Sequence, residues 1–275
     1  MVKRFAGWSL SGPATLLVVI CLVVPVAATI AATFASDAGP FALYQAFLES
    51  GFRRRVLWRT LEVALVTTIV SVIVGFFTAY VVSRAPGRWR SVLIILAVFP
   101  LLTGVVVRSF AWLIVLGRNG IANNFFVWLG LDGAPYPMLY TQGSVIIAMI
   151  YLFVPLMVLT LVGVLENIPD DVIEAAASLG ASETAIFREI IFPLAVPGII
   201  VGAVLVFTGS FTSYATPQLL GGDQQMMMGT LLHQRAMVAF DWDGAATVSA
   251  IMVVVTISIV LAMTRIARRL NPMAT

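Results

Sequence analysis

Apolar residues run along this chain in six long blocks, roughly 14–34, 60–83, 91–117, 143–165, 195–220 and 244–264, and the stretches between them hold most of the charge. Each block has the length of about 20 residues that a helix needs to cross a hydrocarbon core of about 30 Å. None alternates apolar and polar positions as the strand of an outer-membrane barrel does. Backbone groups cannot stay unpaired in lipid, so the blocks predict helices. The expected fold is an all-α integral membrane protein with six transmembrane helices.

Composition sharpens this picture. The 275 residues are 60% hydrophobic and 11% charged, with a mean hydropathy of +1.03, whereas a soluble domain carries about a quarter charged residues. A net charge of +3 needs no nucleic acid to explain it. Cys21 is the sole cysteine and lies inside the first block, which leaves no disulfide framework or thiolate metal site within the chain. That first block is longer than the roughly 7–15 apolar residues of a signal peptide and reads as a retained span.

Positive side chains orient the spans. With the N-terminus inside, the inner segments hold Lys3, Arg4, Arg84, Arg88, Arg90, Arg188, Arg265, Arg268 and Arg269, and the outer ones hold Arg53, Arg54, Arg55, Arg59, Arg118 and Arg235. The short connection RAPGRWR (84–90), with arginine as its only charged residue type, fixes the choice: both termini face the cytoplasm. The stretch FRRRVLWRTLEVAL (52–65) runs against the rule. It reads as an interfacial amphipathic helix leading into the second span or as a contact for a docking protein.

The longest stretch of mixed polarity, EAAASLGASETAIFREIIFP (174–193), falls inside, between the fourth and fifth spans. Pro169 fits a first helical turn, and Asp170, Asp171 and Glu174 place negative charge at the positive end of the helix dipole. Gly180 fits the left-handed stop after that helix. Ser182 can cap a second short helix, which Pro193 and Pro197 limit before the fifth span. A short helix with a flat small-residue face and an acidic front is shaped to be held in another protein's groove. An ordinary helical loop is the alternative the residues leave open.

The segment resembles the EAA loop of binding-protein-dependent ABC import permeases: Glu174-Ala175-Ala176, three residues, Gly180, nine residues, then Ile190-Ile191-Phe192-Pro193, with Phe192 where leucine is usual. NGIANNFFVWLGL (119–131), YTQGSVIIAMIYLFVPLMVLTL (140–161), ENIPDDVIEAAASLGAS (166–182), FPLAVPGII (192–200), TPQLLGG (216–222) and DWDGAA (241–246) extend the likeness to the spermidine/putrescine-type permease subfamily. The resemblance implies the type I ABC importer permease fold, with a cytoplasmic coupling helix, in a bacterial inner membrane. It implies a domain order of N-terminal tail, first span and periplasmic amphipathic segment (1–59), permease core (60–265) with coupling loop 166–194, and C-terminal tail (266–275).

The implied partners are a second related permease, two ATPase subunits and a periplasmic substrate-binding protein. Coupling to the ATPase would fall to Asp171, Glu174, Ala175, Ala176, Leu179, Gly180 and Ala181. The chain carries no G-x-x-x-x-G-K-[ST], so ATP and Mg²⁺ belong on the partner ATPase, no cofactor is expected on this chain, and it is not expected to be an enzyme by itself. The cargo implied is a polyamine; iron(III), thiamine, an opine or a phosphonate is the alternative. An autonomous transporter or channel would call for intramembrane carboxylate relays, and Glu62 is the sole acidic residue within a block.

Candidates for the substrate pathway or gate are Thr208, Phe211, Thr212 and Tyr214 in the fifth block and Arg108 in the third. Phe211 and Tyr214, at i and i+3, are expected on one helix face, where aromatic rings attract ammonium groups; helix packing is the other reading. Arg108 is expected to face the bundle interior, paired with helix-end carbonyls or a partner's carboxylate, because a charge at mid-membrane costs about 2.5–3.5 kcal/mol. Arg59, at i−3, is the expected partner of Glu62. The methionines of GGDQQMMMG (221–229) are expected in a soft apolar patch that packs at the interface, inserts toward the pore mouth or contacts the binding protein, and Asp241-Trp242-Asp243 at an acidic tip outside that either meets a cation or anchors the last span.

Overall fold

The computed structural model describes residues 2–34, 39–131 and 133–270. In chain order the helices are α1 (Val2–Ala32), α2 (Ala42–Glu49), α3 (Gly51–Arg84), α4 (Gly87–Leu102), α5 (Val105–Leu116), α6 (Ile121–Trp128), α7 (Gln142–Glu166), α8 (Asp170–Ser178) and α9 (Glu183–Ile186). A π-helical turn (Phe187–Ile191) then leads into α10 (Phe192–Phe211), followed by α11 (Ala215–Gly221), α12 (Met228–His233), a second π turn (Gln234–Val238) and α13 (Trp242–Leu270). Among the described residues, six helical stretches are long and apolar enough to cross a membrane: Thr15–Ala32, Gly51–Arg84, Val105–Trp128, Gln142–Glu166, Glu183–Phe211 and Trp242–Ile266. The described side chains of α1 between Leu16 and Val26 are exposed, as expected where lipid is the solvent.

Two compact units make up the chain, one of residues 1–54 with 231–254 and the other of 55–230 with 255–275. In the larger unit α7 is the central element, packed against α4, α10 and α11. Along α3 the buried positions Val56, Thr60, Val63, Ala64, Thr67, Ser71, Gly75, Ala79 and Val82 recur at helical spacing. Phe76, Ala79 and Val82 share a core with Met157, Leu161 and Leu165 of α7 and with Ile186, Ile191, Ala195 and Val206 of the α9–α10 stretch.

Close approach decides this packing. A Cβ on Gly75 would lie 2.6 Å from Met157 Cγ, and one on Gly202 would lie 3.0 Å from Met157 Cε. The fully buried Met157 therefore fills a notch that only glycine leaves on α3 and α10. Small residues set helix contacts in the same way throughout membrane bundles, where apolar burial alone does not drive association.

The third and fifth expected spans are each interrupted. Block 91–117 is divided between α4 and α5, because Pro100 offers no N–H to the turn before it and Thr103 and Gly104 turn extended (ψ 139° and 143°). Block 195–220 is helical only to Phe211; α11 restarts at Ala215 after Thr212 closes the helix, its hydroxyl donating to Thr208 O at 2.8 Å. The limit expected at Pro193 is absent. Phe192 N–H bonds back to Phe187 O across the π turn, and the helix runs on from Glu183 to Phe211 with Pro193 near the start of α10 and Pro197 inside it. Residues 52–65 form the first turns of the 34-residue α3, so this stretch runs unbroken into the second span. At ~1.5 Å per residue, α3 outreaches a hydrocarbon core of about 30 Å.

In the smaller unit, Asp241 caps α13. Its carboxylate accepts the Gly244 N–H at 2.9 Å and Arg235 Nη1–H at 2.6 Å, and Asp241 N–H donates to Arg235 O at 2.9 Å. The acid is thus spent on its own loop rather than free to meet a cation. The Gly244 amide, then Arg235 and the nearby charge of Arg53, outweigh partial burial and hold this carboxyl below the usual carboxylate range. A depressed value contributes stability that is complete above the unfolded value of about 3.9 and is lost as pH falls through the folded one. Amide exchange at Gly244 and Ala245 is therefore expected to keep its protection from neutral pH down to about 5 and to lose it only in stronger acid. Asp241→Ala should lose about fivefold of that protection at neutral pH, the effect of an N-cap worth about 1 kcal/mol; unchanged exchange would refute the cap.

Candidate functional site

One end of the larger unit is tied by charge. Arg84 reaches Asp170 at 3.2 Å, and Arg90 Nε donates to Glu166 Oε1 at 2.7 Å. The basic 84–90 connection thereby braces the two ends of the α7–α8 link. The opposite end is tied by backbone acceptors: Tyr140 N–H and the Ser144 hydroxyl donate to Leu220 O at 2.9 and 3.1 Å. Arg59 Nη1 donates to Gln224 O (2.9 Å) and Met226 O (3.3 Å), so Glu62, which is exposed, is not its partner. Met226, Met227 and Met228 are core side chains rather than an outer patch, because Met227 packs against Val63, Val145 and Met149 and Met228 N–H donates to the Thr60 hydroxyl at 2.9 Å.

At the charged end, α8 follows Pro169, which lies one position before the helix with ψ 132° rather than in its first turn. Gly180 has φ +85°, Ala181 N–H bonds to Ala176 O at 3.1 Å and Gly180 N–H to Ala177 O at 3.0 Å, the paired bonds that close a helix on a left-handed residue. Ser182 Oγ accepts Ala185 N–H at 3.3 Å and starts α9. The result is a rigid elbow.

The elbow divides the seven coupling candidates. Asp171, Glu174, Ala175, Leu179 and Gly180 are exposed, Leu179 at 89%. Ala176 and Ala181 turn inward with Ile173 onto the Ile168–Ile186 core, so they support the surface rather than form it. The exposed face is also not flat: Val172, Ala175 and Leu179, at i, i+3 and i+7, make an apolar strip behind an acidic front. Val172 escaped the motif reading, although its spacing from Leu179 was there to find.

Phe187, in the π turn, lies edge-on to Tyr80 (5.5 Å between centroids) and to Phe76 (5.8 Å), and Phe76 is edge-on to Phe192 (5.9 Å). Phe76 and Tyr80 of α3 thus pack on the π turn and on the start of α10. Such π turns often mark functional positions in helices. No sequence signal announced this one.

The two helix breaks meet within the bundle. Ser109 of α5 and Thr216 of α11 share a hydrogen bond of 3.3 Å, and Arg108 Nη1 donates at 2.6 Å to Pro100 O, a helix-end carbonyl that also accepts the Thr103 hydroxyl at 2.9 Å. Arg108, Ser109, Trp112, Tyr151 and Thr216 line one small cleft there. Of the other pathway candidates, Thr208 is half-buried, while Thr212 and Tyr214 are exposed. Phe211 is fully buried and stacked on Phe207 at 5.7 Å. It shares no helix face with Tyr214, because the helix ends between them.

Six apolar crossings, two broken helices meeting inside the bundle and a braced polar elbow at one end define a multi-pass membrane permease. Residues 5–274 match the family described as "Binding-protein-dependent transport system inner membrane component", and the chain belongs to that family. It is 31% identical over 216 residues to the spermidine/putrescine transport system permease protein PotB of Escherichia coli (strain K12), covering 78% of each chain. It is 30% identical over 217 residues to PotB of Haemophilus influenzae, covering 79% of this chain and 76% of that one. In fold it is similar to a chain of a bacterial ABC transporter involved in the import of the acidic polysaccharide alginate, with a TM-score of 0.82 at 18% identity over 100% of this chain and 98% of that one. A chain of the MetNI methionine ABC transporter gives 0.62 at 18% identity over 79% and 95%.

Proposed function

We propose that the chain is one of two permease subunits of an ATP-driven importer and that its cargo is a polyamine of the spermidine/putrescine type, handed over by a periplasmic binding protein. One observation carries this reading: the exposed strip of Val172, Ala175 and Leu179 stands on a braced elbow that continues, through the π turn, into a membrane-crossing helix. A surface of this kind suits the socket of an ATPase subunit, and movement of that socket would swing α10 and α3 against α7, opening the path to one side and then the other. Nucleotide and Mg²⁺ would sit on the ATPase. The basic loops and their ion pairs at the elbow end support placing it, and both termini, in the cytoplasm. The broken helices, with Arg108, Thr208, Thr212 and Tyr214, would border the path.

The polyamine assignment is supported by the PotB relatives. Arg108 favours a second reading, in which the cargo also carries an anionic group. Two measurements test the proposal. The purified chain should bring down an ATPase subunit and a second permease, and deleting it should abolish ATP-dependent spermidine or putrescine uptake. Recovery of the chain alone would refute the importer reading; intact polyamine uptake in the deletion strain would refute the cargo.

A further inference from the structure

In the smaller unit, beside the Asp241 cap, lies a recess of about 130 Å³ lined by Leu43, Phe47, Arg53, Arg235, Asp241 and Val248 among others. We propose that it seats the phosphate of an anionic membrane phospholipid, with the acyl chains along its apolar wall. Such a site stands or falls independently of the cargo and of the ATPase.

The charge in the recess is unbalanced. Among the described lining residues, two guanidinium groups face one carboxylate. Both oxygens of that carboxylate are engaged: Asp241 Oδ1 accepts Gly244 N–H at 2.9 Å, and Oδ2 accepts Arg235 Nη1–H at 2.6 Å. Arg53 reaches Asp241 through its charge. Its backbone N–H donates to Ser50 Oγ at 3.4 Å, but among the described residues its guanidinium donates no hydrogen bond and joins no ion pair. Yet Arg53 is half-buried. Five donors partly withdrawn from water and left unspent carry a desolvation cost that an anion would relieve. Arginine forks match the oxygens of a phosphate two at a time, and a second fork on Arg235 strengthens the hold.

The wall and the rim select a lipid. Leu43, Phe47 and Val248 make one side of the recess apolar, and Phe47 and Val248 are buried. Arg53 stands in the first turn of α3 and Asp241 immediately before α13, both at the start of membrane-crossing stretches. Next to them in sequence, Phe52, Phe240 and Trp242 are exposed, Phe240 at 70% and Trp242 at 63%. Exposed aromatic rings of this kind gather at the level of the lipid headgroups. Phe240 is held at φ +52° between two backbone bonds of 2.9 Å, Ala239 N–H to Gln234 O and Asp241 N–H to Arg235 O; enforced strain is typical of ligand clamps. In the orientation supported above, Arg53 and Arg54 lie outside, where topology disfavours arginine. Basic pockets at helix ends commonly hold anionic headgroups. Free phosphate would use the two arginines and leave the apolar wall and the aromatic rim without a role.

The test uses the purified full chain, stripped of lipid in a mild detergent, and short-chain lipids of equal acyl length. Phosphatidylglycerol should raise the melting temperature saturably, and phosphatidylcholine and inorganic phosphate should require at least about tenfold higher concentrations. Arg53→Gln should leave the lipid-free melting temperature little changed, because that guanidinium bonds nothing within the described chain. It should raise the half-saturating phosphatidylglycerol concentration about tenfold, the loss of a charge-assisted contact. Arg53→Lys, which keeps the charge without the fork, should raise it about threefold. Arg54→Gln, exposed and outside the recess, should leave the curve nearly unmoved. Equal shifts for Arg53→Gln and Arg54→Gln would mean diffuse attraction to a charged surface and would overturn the site. Stabilisation by inorganic phosphate equal to that by phosphatidylglycerol would make free phosphate the occupant and overturn the lipid. If Arg53→Gln does not fold, Arg53→Lys decides, and an unshifted curve for it sinks the proposal.

Discussion

Leu179→Asp is expected to uncouple the chain from its ATPase while leaving it inserted at a normal level. Leu179 is 89% exposed, so its side chain contributes almost nothing to the fold of this chain by itself, and aspartate there removes no internal contact. Within a socket the same side chain would be a central apolar anchor, and such anchors cost at least about 2 kcal/mol when lost, or roughly 30-fold in affinity. A buried carboxylate without a partner adds to that cost. Retention of the ATPase subunit on the purified chain should therefore fall at least about tenfold, and uptake with it. Glu174→Lys, at the acidic front, should act in the same direction but less strongly, as rim charges do. Normal uptake and a full complement of ATPase in Leu179→Asp would remove the elbow from the mechanism.

How much of this was written in the sequence depends on the range of the cause. The elbow was legible almost residue by residue because it is local: Gly180 and Ser182 each act within five positions of the bonds they form or permit. The six crossings were legible because hydropathy needs no partner. What the blocks could not show is where an apolar run stops being helical. The chain turns extended at Thr103 and Gly104 after Pro100, whereas it stays helical through Pro193 and Pro197, which follow the π turn at Phe187–Ile191. In that turn Phe187 packs against Phe76 and Tyr80, from another helix. The same limit applies to Phe211, whose ring reads as a pathway surface by spacing and is core by packing, and to Arg59, which answers to two carbonyls some 165 residues away rather than to Glu62. Long-range partners decide these side chains, and a single sequence does not pair them.

The packing around Met157 leads to the other large expected effect. Gly202→Leu should destabilise the chain more than any substitution on the exposed faces, because its Cβ alone would meet Met157, and Met157 cannot retreat: Gly75 of α3 closes the other side of its notch. Overpacking a filled core typically costs about 1–3 kcal/mol, and a pinned neighbour puts this site at the upper end. In detergent that should lower the melting temperature by at least about 4 °C. Met157→Ala alone should also destabilise, by leaving a cavity that costs about 2–5 kcal/mol. Together the two should recover most of the loss, since the new leucine fills the volume the methionine leaves; such coupling is what residues in contact show and distant ones do not. Because Gly202 lies on α10, the helix that the proposed coupling would drive, the single variant should lose uptake along with stability and the double variant should regain both. Additive losses in the double variant would mean that α7 and α10 do not meet through this notch, and the motion assigned to α10 would then lose its fulcrum.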